Sequence, residues 1–296
     1  MSRAVTLKSP AKLNLLLGVT PQIVAGRHLL TSVFTTISLA DTLTFCFDGT
    51  RERLVTIEVV SDPAIPPLNL HTEDNIIYQA VQALEGSCNR ELGGHLHVMV
   101  EKRIPSEGGL AGGSSNAAAT LKMLAGLWGL KSHSEKVLNA ARLVGADVPF
   151  FLYGGCALMG GNGGELVRGL PQPALDLVLV KPPVGVSTGK AYEAFDADPQ
   201  PLPPLERLIA LLDTPGAAPW LLAQEFANNL SRAACSLAPE LEEIIGELAA
   251  QPGVYTAQLT GSGSTIFGVC ESTALAAGLA RYFTQQGYWS IACSTL

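Results

Sequence analysis

The sequence predicts a two-domain α+β protein. Strand-like and helix-like segments occur in both halves of the chain, and no internal repeat is present. A chain of 296 residues with 47% hydrophobic residues is long enough to bury the cores of two ordinary domains. A stretch rich in glycine and proline at residues 160–173 predicts the boundary, which gives domains 1–165 and 166–296.

The first third of the chain is dominated by predicted strands. Residues 4–20, 31–47 and 54–60 have the β-branched and aromatic content of strands. Lys12 and Asn14 lie on one face of the first strand, and they face either solvent or a polar site. On the residues alone we expect them to face solvent, because a half-exposed strand carries polar residues on one side.

Apolar residues at helical spacing predict a helix over residues 74–84, capped by Asp74 or Asn75. A second predicted helix covers residues 133–143, and the apolar run after it predicts a buried strand. The other predicted strands cover 95–100, 175–180 and 289–292, and a strand, a glycine-rich turn and a strand cover 254–269. Further helices are predicted at 204–212, 218–230, 239–249 and 274–286.

Residues 104–120, IPSEGGLAGGSSNAAAT, form the most informative stretch, and we call residues 104–113 the glycine loop. Its four glycines let the backbone approach a ligand closely. Ser114, Ser115 and Asn116 are N-cap types before an alanine-rich helix, so we expect a helix to begin near the serines. The N–H groups of a helix start attract phosphate oxygens. Neither the Walker pattern nor GxGxxG is present.

Composition bounds the partners. A net charge of −7 and a pI near 5.3 argue against nucleic acid and against an acidic membrane surface. No apolar run approaches the length of about 18 residues that a membrane span needs. Six scattered cysteines include no CxxC pair and indicate reduced thiols. We therefore expect a cytoplasmic protein whose partner is a small molecule.

Four stretches together resemble one superfamily. They are PAKLNLLLGV, IPSEGGLAGGSSNAAAT, GADVPFFL and LTGSGSTIFG, and they resemble motifs of the GHMP small-molecule kinases. The resemblance implies an ATP-dependent kinase that also uses Mg²⁺. It implies an N-terminal domain with a left-handed βαβ crossover (ribosomal protein S5 domain 2-like) and a ferredoxin-like C-terminal domain.

The resemblance assigns two catalytic residues, Lys12 and Asp147. An acceptor hydroxyl is a poor nucleophile, so a carboxylate must take its proton while a cation holds the developing charge. Asp147 would be that base, and Lys12 would be the cation. Without the resemblance, Asp147 would be taken as a turn residue before Pro149 and Lys12 as a solvated strand residue.

The resemblance also implies an ATP site. Ser114 or Ser115 would reach Mg²⁺ directly or through water. Asn75 could equally be a helix N-cap, and Asn116 a residue of the first helical turn. The residues implied to hold ATP are Asn75, Lys102, Pro105, Ser106, Gly108, Gly109, Leu110, Ala111, Gly112, Gly113, Ser114, Ser115 and Asn116.

The implied acceptor is a cytidine diphosphate-linked polyol. A histidine and an aromatic ring suit a cytosine, which can stack on the ring while its edge takes a hydrogen bond. The residues that match this pocket are Asn14, Arg27, His28, Ser187, Lys190 and Tyr192.

The chain departs from the superfamily's usual residues at four places, one of which is residues 160–165 (GGNGGE), where the usual GxGE spacing is one glycine longer. Ala25, Gly26, Arg27 and His28 stand where DGYH is usual, so Arg27 replaces an aromatic residue. Asn228, Asn229 and Leu230 stand where NDL is usual, and Glu107 adds a negative charge to the glycine loop. The alternatives are a kinase of the same superfamily that acts on another small alcohol or phosphate, and a catalytically weak nucleotide-binding paralogue. The protein could be a monomer or a homodimer.

Overall fold

The structure, a computed structural model, describes residues 3–50, 52–68 and 70–296. Contacts within the chain divide it into two compact units. The first comprises the chain up to Ala11 with Leu39–Ser106 and Ala111–Gly154, and the second comprises Lys12–Ser38, Glu107–Leu110 and Gly155–Leu296. This contact-based division is discontinuous along the chain, and the predicted domains 1–165 and 166–296 stay a prediction.

Eleven strands lie in the described part of the chain. They are β1 (Arg3–Val24), β2 (Arg27–Asp48), β3 (Leu54–Ser61), β4 (His95–Lys102), β5 (Cys156–Gly160), β6 (Glu165–Leu170), β7 (Asp176–Lys181), β8 (Ala227–Asn228), β9 (Val254–Leu259), β10 (Ile266–Cys270) and β11 (Trp289–Ser294). The long strands β1 and β2 contribute residues to both units.

The described residues also form ten α-helices. They are α1 (Ile76–Cys88), α2 (Gly112–Leu127), α3 (Glu135–Val144), α4 (Val148–Tyr153), α5 (Thr188–Ala197), α6 (Glu206–Leu212), α7 (Pro219–Ala223), α8 (Ser231–Leu237), α9 (Glu240–Ala249) and α10 (Thr273–Gln285). None of these helices is both long enough and apolar enough to cross a membrane.

The first unit contains a mixed sheet and a group of helices that pack against one another. β4 pairs antiparallel with the second part of β2 and parallel with β3. Alternate residues of β4, including Leu96 and Val98, are fully buried, as expected for a strand with one face in the core. Helices α1, α2 and α3 pack against one another, and α4 packs on α2. This packing fixes the first turn of α2.

The second unit contains a four-stranded antiparallel sheet in the order β11-β7-β10-β9. α9 packs on β9, and α10 packs on β7 and β11. The first part of β2 pairs with β5, which pairs with β6, and β1 pairs parallel with the short strand β8. β7 is buried from Leu177 to Val180, which explains its uninterrupted apolar sequence.

The expectation that Lys12 and Asn14 face solvent is wrong. Each side chain is only 3% exposed. A strand pattern shows which residues share a face, but it does not show which face is covered. The polar-site alternative holds for both residues.

Two predicted elements have a different form. The apolar run after the second predicted helix begins as the short helix α4, and the strand starts only at Cys156. Pro149, in the first turn of α4, suits a helix start, and Gly154 has a φ of 73° that ends the helix. The predicted helix at 218–230 is the short α7 followed by β8.

The helix after the glycine loop begins earlier than predicted. α2 starts at Gly112, and Ala111 occupies the N-cap position in a left-handed conformation, with φ of 54° and no side-chain cap. Ser114 and Ser115 therefore lie inside the first turn. At α1 the cap prediction is confirmed, because the Asn75 side chain accepts a hydrogen bond from Ile77 N at 3.0 Å.

Candidate active site

The glycine loop requires its glycines for packing. A Cβ atom on Gly109, whose φ is 73°, would overlap the carbonyl oxygen of Thr260. In the first unit, a Cβ on Gly112 would lie 2.9 Å from Ile104 Cγ2. Glu107 and Ala111, which are both residues of the glycine loop, adopt left-handed backbone conformations. The loop is thus held in one tight path.

The first turn of α2 offers hydrogen-bond donors. Its first intrahelical bond runs from Ser115 N to Ala111 O at 3.0 Å, so the preceding N–H groups have no partner inside the helix. Ser115 is buried, and its hydroxyl accepts a hydrogen bond from Ser9 Oγ at 2.7 Å. Ser114 is only half-buried. Its Oγ faces Gly145, since a Cβ atom added to that glycine would lie 3.9 Å from it. Ser114 is therefore the more accessible hydroxyl.

A buried carboxylate that the sequence analysis missed supports this turn. Asp41 of β2 is fully buried and accepts four hydrogen bonds in the first unit, from Lys102 Nζ at 2.9 Å, Arg103 N at 2.7 Å, Ile104 N at 2.8 Å and Asn116 Nδ2 at 3.0 Å. Its carboxylate joins the end of β4 to α2. A charged residue inside the apolar run ISLADTLTF was the available signal.

Two predicted ATP-site residues are thus tied into the protein interior. Lys102 is 5% exposed, and its ammonium also donates to Ile104 O at 2.5 Å. Asn116 is 4% exposed, and among the described residues its Oδ1 has no hydrogen-bond partner. A buried amide oxygen without a partner is costly unless a water or a ligand donates to it.

In the second unit, Lys12 is held by its strand neighbour. Lys12 Nζ donates to Asn14 Oδ1 at 2.5 Å and lies 4.8 Å from the centre of the Phe34 ring. The backbone N of Lys12 donates to Leu110 O at 3.1 Å, which ties β1 to the glycine loop. The backbone of Lys12 is thus fixed to that loop, and its ammonium is held by Asn14 and the Phe34 ring.

Asn14 is the centre of a buried hydrogen-bond network. Its backbone N donates to Thr260 Oγ1 at 3.1 Å, and Thr260 Oγ1 donates to Asn14 Oδ1 at 3.2 Å. Asn14 Nδ2 donates to Ser32 Oγ at 2.9 Å, and Ser32 Oγ donates to Leu16 O at 2.5 Å. Ser32 and Thr260 were missed from the sequence, because they lie far from Asn14 along the chain.

The turn that carries Thr260, residues 259–265, we call the second glycine turn. Thr265 N donates to Gly108 O at 3.3 Å, which joins this turn to the glycine loop. Ser262 Oγ lies 2.9 Å from Thr188 Oγ1 at the start of α5. The turn therefore contacts the glycine loop and α5 within the second unit.

Asn228 and Asn229 both bind backbone groups, and Asn229 is the residue that departs from the usual NDL. Asn228 Nδ2 donates to the carbonyl oxygens of Leu259 and Gly261, both at 2.8 Å. Asn229 Oδ1 accepts from Val19 N at 2.8 Å, while its Nδ2 donates to Val19 O at 2.9 Å. An aspartate at 229 has no N–H to donate. The amide at this position therefore matches its surroundings.

His28 and Tyr192, predicted for the substrate pocket, lie together. Their ring centres are 5.0 Å apart with an angle of 28° between the planes. His28 Nδ1 lies 2.9 Å from Thr20 O and so carries the hydrogen that it donates, while Nε2 lies 3.4 Å from Asp196 Oδ2. Asp196 was missed from the sequence. Arg27, the residue before His28 in the sequence, is exposed.

Three further residues have simple positions. Ser187 is the N-cap residue of α5, and Lys190 is exposed in its first turn. Asp147 is half-buried and is the N-cap residue of α4 in the first unit. Lys12 belongs to the second unit, so the pairing of Lys12 with Asp147 stays a prediction.

Glu107 lies next to a lysine. Its Oε2 lies 3.3 Å from the position of a Cβ on Gly185, in the turn after β7. The aliphatic part of the Lys181 side chain lies against Gly108, because a Cβ atom added to Gly108 would lie 3.5 Å from Lys181 Cδ. Burial lowers the pKa of Lys181, and the nearby Glu107 carboxylate acts in the opposite direction. The charge of Glu107 is therefore partly balanced inside the second unit.

Comparison with known proteins identifies the class of protein. The model of the GHMP kinases N terminal domain matches residues 75–155, and that of the GHMP kinases C terminal domain matches residues 218–288. The chain belongs to the GHMP kinase family, whose members use ATP as the phosphate donor.

Relatives over most of the chain have one name. A 4-diphosphocytidyl-2-C-methyl-D-erythritol kinase from a Polaromonas species is 37% identical over 268 residues, covering 88% of this chain and 81% of the relative. One from Heliobacterium modesticaldum is 34% identical over 294 residues, covering 95% and 90%.

Solved structures agree with the fold. A crystal structure of 4-(cytidine 5'-diphospho)-2C-methyl-D-erythritol kinase is 29% identical, covers 98% of both chains and has a TM-score of 0.75. Homoserine kinase from Cytophaga hutchinsonii has a TM-score of 0.71 at 18% identity, covering 99% of this chain and 94% of the other, and shares the fold.

Proposed function

We propose that this protein uses ATP to phosphorylate the 2-hydroxyl of 4-diphosphocytidyl-2-C-methyl-D-erythritol, in the non-mevalonate route to isoprenoid precursors. The observation that carries the proposal is the near full-length similarity to kinases of that name, at 34–37% identity in two bacteria. The reaction class is phosphoryl transfer to an alcohol.

The glycine loop is suited to binding the phosphates of a nucleoside triphosphate. Bound ATP supplies the phosphoryl group. The donors of the first turn of α2 would hold its phosphate oxygens, and the glycines leave room for close approach. The unpartnered Oδ1 of Asn116 would accept a hydrogen bond from the nucleotide, as an amide oxygen can from an exocyclic amine. Asn75 and Lys102 would help to shape the same part of the site.

Ser114 is the better of the two serine candidates for Mg²⁺. Its hydroxyl is half-exposed, whereas the Ser115 hydroxyl is buried and bonded to Ser9. A hard cation needs oxygen ligands that it can reach, together with phosphates and water. Ser114 would be one such ligand, either directly or through water.

Asp147 would take the proton of the acceptor hydroxyl, and Lys12 would stabilise the charge that develops on its oxygen. The ammonium of Lys12 is already oriented by Asn14. Orientation before the reaction matters because a fixed charge does not have to reorganise as the phosphoryl group moves.

His28 and Tyr192 would form one wall of the cytidine pocket, with Arg27 in place of the usual aromatic residue. The stacked rings of His28 and Tyr192 offer an apolar face, and a guanidinium plane can stack on a base. Ser187 and Lys190 at the start of α5 would contact the diphosphate or the erythritol end.

The assay is direct. Purified protein is incubated with MgATP and 4-diphosphocytidyl-2-C-methyl-D-erythritol, and ADP release is followed together with ³¹P NMR of the product. We expect stoichiometric ADP and a new phosphomonoester. Absence of turnover at high protein concentration would contradict the proposal. Faster turnover of mevalonate, homoserine or a sugar would identify another acceptor instead.

A further inference from the structure

The second glycine turn has no chemical role in the proposed reaction, although it contacts several parts of the candidate site. Through Thr260 it contacts Asn14, through Ser262 the start of α5, and through Thr265 the glycine loop. Asn228 holds this turn on both sides of Thr260 by donating to Leu259 O and Gly261 O. A turn held at so many points has a fixed backbone.

We propose that Thr260 is a positioning residue for Lys12: its hydroxyl holds Asn14 so that the Asn14 carbonyl oxygen fixes the Lys12 ammonium at the reacting centre. This inference rests on the proposed function for the meaning of the reacting centre. The link from Thr260 through Asn14 to Lys12 consists of hydrogen bonds inside the second unit.

The Asn14 amide has one orientation that satisfies its neighbours. Ser32 Oγ uses its only hydrogen on Leu16 O, so towards Asn14 it can only accept. The NH₂ end of Asn14 must therefore face Ser32, and its carbonyl end must face Lys12. The lysine ammonium can only donate hydrogen bonds. In this orientation it meets the carbonyl oxygen of Asn14, whereas in the flipped orientation it would meet the NH₂ group, which is another donor.

The Thr260 hydroxyl bonds to Asn14 at two atoms. One hydroxyl satisfies both the backbone N and the side-chain Oδ1 of Asn14. It therefore fixes the Asn14 side chain relative to its own backbone. Thr260 is fully buried, so no bulk water replaces this bond if the hydroxyl is removed.

The position of the Lys12 ammonium affects the rate of the proposed reaction. The Lys12 ammonium is held between Asn14 Oδ1 and the ring of Phe34, and it is nearly inaccessible to solvent. A misplacement of about 1 Å in a reacting group can cost on the order of 100-fold in rate. A loosened Asn14 should therefore slow the chemical step while ATP still binds.

The test compares Thr260→Val with Thr260→Ser. Valine keeps the shape of threonine and removes the hydroxyl, whereas serine keeps the hydroxyl. We expect Thr260→Val to lower kcat by about 10- to 100-fold with little change in the KM for ATP. Thr260→Ser should retain most of the wild-type kcat. The proposal is overturned by an unchanged kcat in Thr260→Val, or by an equal loss in both variants.

A second readout does not depend on turnover. The wild type and both variants are treated with a limiting amine-acylating reagent, and the modification of Lys12 is quantified by peptide mass spectrometry. Lys190, exposed on α5, is the internal reference. We expect Lys12 to be acylated several-fold faster in Thr260→Val and at the wild-type rate in Thr260→Ser.

The two readouts separate the two proposals. If the wild type does not phosphorylate the erythritol substrate but Lys12 acylation rises in Thr260→Val alone, the proposed function fails and the positioning role stands. If the wild type is active but Lys12 acylation and kcat are the same in Thr260→Val, the positioning role is wrong and the proposed function stands.

Discussion

Single buried polar residues organise the candidate site. Asp41 in the first unit and Asn14 in the second each collect several hydrogen bonds from residues distant in sequence. Inside a protein such a network is strong when every member is satisfied, and removal of one member leaves the others unpaired.

Asp147→Asn tests the proposed base at the residue scale. Asparagine has nearly the same shape but cannot take the proton of the acceptor, so kcat should fall by at least about 10²-fold. The thermal unfolding midpoint should stay close to that of the wild type. An active Asp147→Asn variant would rule out this residue as the base.

Asp41→Ala tests the buried carboxylate. The substitution leaves the Lys102 ammonium buried without its counter-ion, and we expect a loss of about 3–5 kcal/mol in the free energy of unfolding, measured with urea. The matched control is Glu135→Ala, which breaks the exposed ion pair with Arg142 and should cause a far smaller loss. Equal losses in the two variants would contradict a structural role for Asp41.

At the scale of elements, the glycine loop and the second glycine turn are packed backbone against backbone. Gly109 lies where any side chain would meet Thr260 O, and Thr265 N bonds to Gly108 O. Glycine in these two segments therefore serves the contact between them as well as any ligand. Gly113 is different, because it lies at the exposed start of α2.

Gly109→Ala and Gly113→Ala should separate folding from nucleotide binding. A Cβ at 109 would overlap the Thr260 carbonyl oxygen at a positive φ, so the variant should be strongly destabilised. A Cβ at 113 would make an ordinary contact with Ile76 Cγ2 at 3.6 Å, so folding should be retained. We expect Gly113→Ala to bind ATP more weakly by calorimetry, because the proposed phosphate site at the helix start depends on close approach of the ligand to the backbone. A stable Gly109→Ala variant would contradict the packing argument.

At the scale of the whole molecule, buried thiols link stability to alkaline pH. Burial raises the pKa of Cys156 and of Cys293 from an ordinary value of 9.0 to about 12, and that of Cys270 to about 11. In the folded protein these thiols therefore stay protonated at a pH where the unfolded chain loses their protons. Since ionisation lowers the free energy of the unfolded state, this contribution to stability is complete below pH 9 and is lost as the pH rises towards about 12.

The measurement is the urea midpoint at pH 8 and at pH 10 to 10.5, values chosen on either side of about 9, the ordinary thiol pKa. We expect the wild type to lose stability over this range, and a variant with Cys156→Ala and Cys293→Ala to lose less of it. The comparison within one range cancels the ionisation of tyrosines and lysines that both proteins share. The same loss in the wild type and in the variant would show that these thiols do not carry the effect.

The amino-acid sequence by itself determined most of the elements and the glycine loop. Strand and helix periodicity, the Asn75 cap and the run of glycines before a helix are local properties, because they depend on neighbouring residues and their backbone preferences. The family resemblance depended on the same local motifs. The start of α2 was placed two residues late, since Ala111 takes a left-handed conformation that its residue type does not favour.

The tertiary structure alone decided which polar residues are buried and what they contact. On the residues alone Lys12 and Asn14 were expected on a solvated strand face, and no role was predicted for Asp41 or for Thr260, although Thr260 lies in one of the motifs that carry the resemblance. Asn14 and Thr260 are 246 residues apart, and no local pattern encodes a hydrogen bond over that separation. Whether a strand face is buried depends on which other elements cover it. The same alternation of residues is therefore compatible with a solvent-exposed face and with a buried polar site, and only the packing of the rest of the chain decides between them.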